Sequence, residues 1–194
     1  VMEVLEEGKK GWLTVKHLLY PCWMEETEQG RELQKLAKEA GASCQGIRAG
    51  DQLELGNAEA AVIYPGDEET VTEPNAGSLV LCWEWAGVRT LFTGDLPEEK
   101  ERELLQKLPA CEILQVGHHG SATSTCQEFL DRVQPSLAVI SCALTNRYGH
   151  PAPDTVERLE KNGCEIRYTM KGGAVTVRQR GKEIRVEEYV TGGQ

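Results

Sequence analysis

The chain has no Cys-x-x-Cys pair, no long apolar run, no basic leader and no excess of positive charge. Each absence closes a class. Cysteines scattered over positions 22, 44, 82, 111, 126, 142 and 164 do not read as a zinc ribbon, and 194 residues is too long and too sparse in Cys for a disulfide mini-protein. Most of these thiols sit in or beside apolar runs, as in Leu81-Cys82-Trp83 and Ile140-Ser141-Cys142, and read as buried structural groups. An oxidising compartment would leave room for one bridged pair. Apolar stretches such as 78–85 fall far short of the ~20 residues that a membrane-crossing helix needs. The opening residues mix Glu, Lys and Val, unlike a basic-then-apolar leader. Lys and Arg number 21 against 31 Asp and Glu, a formal net charge of -10, whereas a non-specific nucleic-acid binder ordinarily shows the reverse balance. A polyanionic substrate would therefore need metal ions and a local basic spot to offset the field. Histidine is scarce as well, with four in the chain, so their places carry information.

What is present is an ordinary soluble composition, 40% hydrophobic with a mean hydropathy of -0.42, long enough to bury a core without cross-links. Residues 12–19 read as a strand closed by Pro21. Residues 28–40 read as a helix, with Leu33, Leu36, Ala37 and Ala40 on one face and Gly41 as its stop. Strands follow over 52–55 and 60–64, then an acidic loop over 67–75. A hairpin over 78–85 and 88–92 turns at Ala86-Gly87. The rhythm then changes. Helices over 97–107, 125–133 and 153–162 alternate with strands over 112–116, 137–141 and 166–169, and strands over 174–180 and 183–189 finish the chain. The pattern predicts a layered α/β sheet with helices on its outer faces.

Polar residues fall where these strands end. Thr93-Gly94-Asp95 follows one strand, Gly117-His118-His119-Gly120-Ser121 the next, and Asn146-Arg147-Tyr148-Gly149-His150-Pro151 comes a few residues after the third. Sites in layered α/β proteins gather on such loops, because the sheet fixes their positions while the loops meet solvent. Each segment alone reads as a turn, a helix cap or a pair of surface histidines. Together they hold three of the four histidines; the fourth, His17, lies in an apolar run and reads as structural. Asp and His suit zinc or manganese, and a carboxylate can bridge two ions held ~3.5–4 Å apart, the arrangement that clamps a phosphoryl oxygen during in-line displacement. An Asp with one or two His makes at most three ligands, short of what two ions require.

These segments, in this order and with Gly172-Gly173-Ala174-Val175-Thr176 after them, resemble the metallo-β-lactamase-like C-terminal domain of the ComEC family, the polytopic channel proteins that bring transforming DNA across bacterial membranes. The match runs from about residue 75 to about residue 177 and is weaker before. The resemblance implies an αββα sandwich, here incomplete at the N-terminus, with residues 1–194 forming one domain equal to the C-terminal two-thirds of a full one. It implies metal ligands at Asp95 and His118, with His119 as second choice for the histidine. His119 and His150 would be the catalytic groups, and Asn146, Arg147 and Ser121 would bind substrate. It further implies two divalent ions, zinc or manganese, in the full-length domain and not fully held by this piece, since the family's upstream HxDxDH-type motif is not found here. A start at Val1 fits a piece of a longer protein. The function implied is a metal-dependent phosphodiesterase or nuclease that cuts the non-transported DNA strand. Its partners would be DNA, the membrane-embedded channel part of the same protein and other uptake machinery, with this part lying outside the membrane. The rival reading is a non-catalytic docking or DNA-guiding module of the channel.

Overall fold

The structure, a computed structural model, describes residues 1–67 and 69–189. Short strands from residue 52 to residue 168 build its main sheet. Seven strands, β3 (Gln52–Leu55), β4 (Ala58–Tyr64), β5 (Val80–Trp85), β6 (Val88–Phe92), β7 (Ile113–Gln115), β8 (Leu137–Ile140) and β9 (Glu165–Tyr168), lie side by side in sequence order. The first four pair antiparallel and β6 to β9 pair parallel. The switch has a local cause. The connection at Ala86-Gly87 is a two-residue hairpin with both residues at positive φ, which forces antiparallel pairing. From β6 to β9 every connection carries a helix, which allows a parallel return.

Register sorts the side chains into two faces. Leu91, Leu114 and Ala138 pair across neighbouring strands and bury with Phe129, Leu130, Val133, Leu104 and Leu159 in the largest core cluster. Three helices close that face: α3 (Glu98–Leu104), α4 (Gln127–Val133) and α5 (Pro153–Lys161). The alternate residues Val88, Ile113 and Leu137 pack on the other side against Val177, Ile184 and Val186. These come from a terminal hairpin, β10 (Ala174–Arg180) with β11 (Glu183–Tyr189). A short helix over Thr169–Gly172 leads into it. The hairpin covers only part of its face: Trp83, Trp85 and Phe92 stay more than a third exposed and line a cavity of about 420 Å3.

The first fifty residues form a smaller layer. β1 (His17–Pro21) and β2 (Ser43–Ile47) pair in parallel around α2 (Glu28–Glu39). Leu18, Tyr20, Leu33, Leu36 and Ala37 make its core together with Leu5 of α1 (Met2–Lys9). Trp23 ties this layer to the main sheet by donating its indole N–H to the Gly77 carbonyl at 2.8 Å. The expected α/β class is what the structure has, with the central sheet mixed. Three expectations shift. Helix α1 and strand β2 had no periodic signal, and the strand read over 12–19 begins at His17, leaving Trp12 81% exposed.

Candidate functional site

Because β6, β7, β8 and β9 run the same way in register, their C-terminal ends share one edge of the sheet. Asp95 leaves that edge after β6. The turn that delivers it needs Gly94, which sits at φ +57 and where a Cβ would come within 3.1 Å of the Ser78 side chain. The Ser78 hydroxyl accepts the Asp95 backbone N–H at 3.1 Å, leaving the carboxylate half exposed.

After β7 comes the Gly117–Gly120 turn. The His118 N–H donates to the Gly94 carbonyl at 2.9 Å, which stitches this loop to the one carrying Asp95. Both histidines take left-handed backbone angles, φ 47 for His118 and φ 57 for His119. Two adjacent non-glycine residues there cost of order 1–3 kcal/mol each, a strain that characterises functional loops. Glycine on each side makes the turn possible. A Cβ on Gly117 would meet the Thr93 hydroxyl at 3.1 Å, and one on Gly120 would meet Pro151 at 2.7 Å. Beneath the loop, Glu101 of α3 is fully buried and accepts the backbone N–H groups of Thr125 and Cys126 at 2.7 and 2.9 Å. Burial pushes the Glu101 carboxyl up from its ordinary 4.5, against the pull of those two N–H bonds.

The histidines converge. His119 Nδ1 lies 2.7 Å from the Ser141 carbonyl, which can only accept, so Nδ1 carries the proton and Nε2 is left to face outward. Nε2 lies 3.9 Å from an Asp95 carboxylate oxygen. A neutral imidazole nitrogen and a carboxylate oxygen both offer lone pairs, so the two present a pair of donor atoms that a metal ion could share. The His118 ring sits 6.4 Å from that of His119 and 5.7 Å from that of His150. Burial holds His150 below its ordinary 6.5, with His118 and His119 adding to the effect and Asp95 opposing it.

Other residues singled out in the sequence take supporting places. Asn146 donates to the Ala143 and His150 carbonyls and accepts the His150 N–H at 2.9 Å, so its amide folds the loop around His150. Ser121 is buried, shares its hydroxyl with Thr123 at 3.0 Å and lends its carbonyl to Thr155. Both side chains are already engaged within the protein. Arg147 lies over the Tyr148 ring, 4.8 Å from its centre, and donates to its hydroxyl. Tyr148 in turn stacks on His150 at 5.7 Å and 17°. No role was read for Tyr148 or for Glu101 in the sequence. Tyr148 had a signal, its place between Arg147 and His150; Glu101 had none, lying among three other acids in the same helix. The cysteines offer no activated thiol. All seven are free, three are buried, and burial pushes Cys111 and Cys126 up to about 12.

The family model described as the metallo-beta-lactamase superfamily matches residues 1–143. The chain belongs to that superfamily. Among its curated relatives, ComE operon protein 3 of Bacillus subtilis is 31% identical over 170 residues, covering 87% of this chain and 22% of the relative. Competence protein ComA of Neisseria gonorrhoeae is 33% identical over 116 residues, 58% of this chain and 17% of the relative. Both are competence proteins of the ComEC type, as the motifs indicated. The chain spans about a fifth of the length of these relatives. Among solved structures, CmlA, a diiron β-hydroxylase from Streptomyces venezuelae, aligns with a TM-score of 0.50 at 12% identity over 80% of this chain and 37% of that one, a likeness of fold alone.

Membership in the superfamily implies divalent metals. The residues at this edge do not by themselves fit one. Among the described residues no group of three or more His, Cys, Asp and Glu side chains is arranged to hold an ion. The facing pair of Asp95 and His119 falls short of the four positions of a closed zinc shell.

Proposed function

We propose that this metallo-beta-lactamase superfamily chain serves phosphodiester hydrolysis of DNA during DNA uptake, as one domain of a membrane-associated competence protein. The observation that carries the reading is the meeting of Asp95, His118, His119 and His150 at one sheet edge, from three separate strand ends. Asp95, with His118 or His119, supplies part of a donor set for zinc or manganese. The geometry favours His119 as the nearer partner of Asp95, the reverse of the order taken from the motif. Because that set is partial, the roles assigned here are those of the chain's own side chains. His150 and whichever histidine is not a donor orient a phosphate oxygen or exchange a proton with the leaving oxygen. Arg147 grips phosphate oxygens with its planar fork. Asn146 and Ser121 hold the two loops in shape. In the membrane-bound uptake machinery this part lies beside the channel; no helix among the described residues is long and apolar enough to cross a membrane.

A second reading, a non-catalytic docking or DNA-guiding module, is favoured by the half-open apolar face around Trp83, Trp85 and Phe92. One experiment separates the two. The full-length protein supplied with Mn2+ or Zn2+ should cleave a DNA oligonucleotide, and Asp95→Asn should reduce the rate by about a hundredfold or more, the scale of losing one transition-state electrostatic partner. A wild-type protein that binds DNA without cleaving it, whatever metal is supplied, would sink the hydrolase and leave the docking module.

A further inference from the structure

Beside the histidines lies a cavity of about 430 Å3 that the proposed chemistry does not use. It shares His119 and His150 with the site and continues between Cys142, Ala143, Tyr148 and Thr169. Its volume falls within the ~300–1,000 Å3 of ordinary small-molecule clefts and has room for one base and its sugar. No Asp, Glu, Lys or Arg side chain is among the residues that line it, so it suits an uncharged group better than a phosphate.

Its walls are pinned in advance. The Thr169 hydroxyl accepts the Cys142 N–H at 3.0 Å and donates to the Cys142 carbonyl at 3.0 Å, and Asn146 locks the opposite loop. Tyr148 lines the cavity while remaining 66% exposed, so its ring is within reach of a molecule that enters. It is also part of a layered set, with His150 stacked on its ring and the Arg147 guanidinium over it. Aromatic rings and guanidinium planes are the surfaces on which unpaired bases stack.

We propose that this cavity is the subsite for one unstacked nucleobase of the substrate, with the exposed Tyr148 ring at its wall as the aromatic surface that the base meets. Single-stranded or frayed DNA is then the preferred form, because a base paired within a duplex cannot enter. The inference rests on the reading of DNA as substrate, but it needs only binding and not hydrolysis.

The test uses the full-length protein and two short oligothymidylates, one intact and one carrying abasic sites. Binding is read by fluorescence anisotropy and turnover by cleavage. The intact strand should bind about tenfold more tightly, the low end of the value of one stacked base. Tyr148→Ala should remove that contrast by weakening the intact strand alone, raising its KM about tenfold, and Tyr148→Phe should retain it. Equal binding of the two strands by the wild type overturns the subsite, as does a Tyr148→Ala loss that falls equally on both. The two readings fail separately. Cleavage without the contrast leaves the hydrolase and removes the subsite, whereas the contrast without cleavage does the opposite.

Discussion

At the scale of single residues, the site is made by glycine as much as by histidine. Gly120 sits at φ +81 with Pro151 against the place of its missing Cβ, so the loop carrying His150 rests directly on the loop carrying His119. Gly120→Ala combines a left-handed alanine with an overlap at 2.7 Å. We expect it to cost about 2–4 kcal/mol in urea unfolding, with the histidine edge disordered. Gly149→Ala is the control: it shares the positive φ, +72, but meets nothing within 4 Å, and should cost only about 1 kcal/mol. Equal losses would show that contact with Pro151 matters little. Arg147 makes a second test at this scale. Braced by a carboxylate, it would be structural, but among the described residues its partner is the Tyr148 ring. Arg147→Lys should therefore lower DNA turnover in the full-length protein while leaving melting temperature and metal content nearly unchanged. A drop in melting temperature with intact kinetics would make Arg147 a brace.

At the scale of elements, α3 positions the start of α4 through Glu101. Removing the carboxylate in Glu101→Ala leaves two buried N–H groups without acceptors and should cost about 2–5 kcal/mol. The pH dependence has a definite sign. The folded protein holds the Glu101 proton more tightly than an unfolded chain, whose value is near 4.5. That contribution is therefore complete below pH 4.5 and is lost as pH rises through the higher folded value. Measured by urea unfolding, wild type should lose stability relative to Glu101→Gln as pH rises above 4.5. A gap independent of pH would show that the two N–H bonds cancel the burial.

How much of this was legible follows from the same physics. The strands from β3 to β11 and the helices α3, α4 and α5 announced themselves through apolar patterns and turn signals, whereas the short helix over Thr169–Gly172 did not, and the strand ends at Asp95 and His118 marked the edge. Helix α1 did not announce itself, because Leu5 is the residue it buries and its remaining surface is mostly charged, as in the exposed Lys9–Glu39 pair at 2.7 Å. Strand β2, Ser-Cys-Gln-Gly-Ile, shows no apolar alternation and forms because β1 offers it an edge. Which histidine faces Asp95 was equally hidden, since it depends on φ values and on the Ser141 carbonyl, neither of which a motif encodes.

At the scale of the whole molecule, an acidic chain presents a histidine-rich edge on one margin of its sheet and an incompletely covered apolar face beside its terminal hairpin. Trp83 and Trp85 should make that face bind an apolar fluorescent dye, and replacing both with Thr should abolish the signal without lowering the unfolding midpoint. A dye signal unchanged in that variant would place the open face elsewhere. At the edge itself, we infer that Asp95 and the paired histidines are part of a metal site which the described residues do not complete. The most direct measurement is a zinc or manganese titration of this chain by calorimetry, with Asp95→Ala and His119→Ala alongside. The account predicts weak binding that does not saturate with two equivalents of metal, and that either substitution removes. Two ions bound tightly per chain, or binding indifferent to both substitutions, would contradict it.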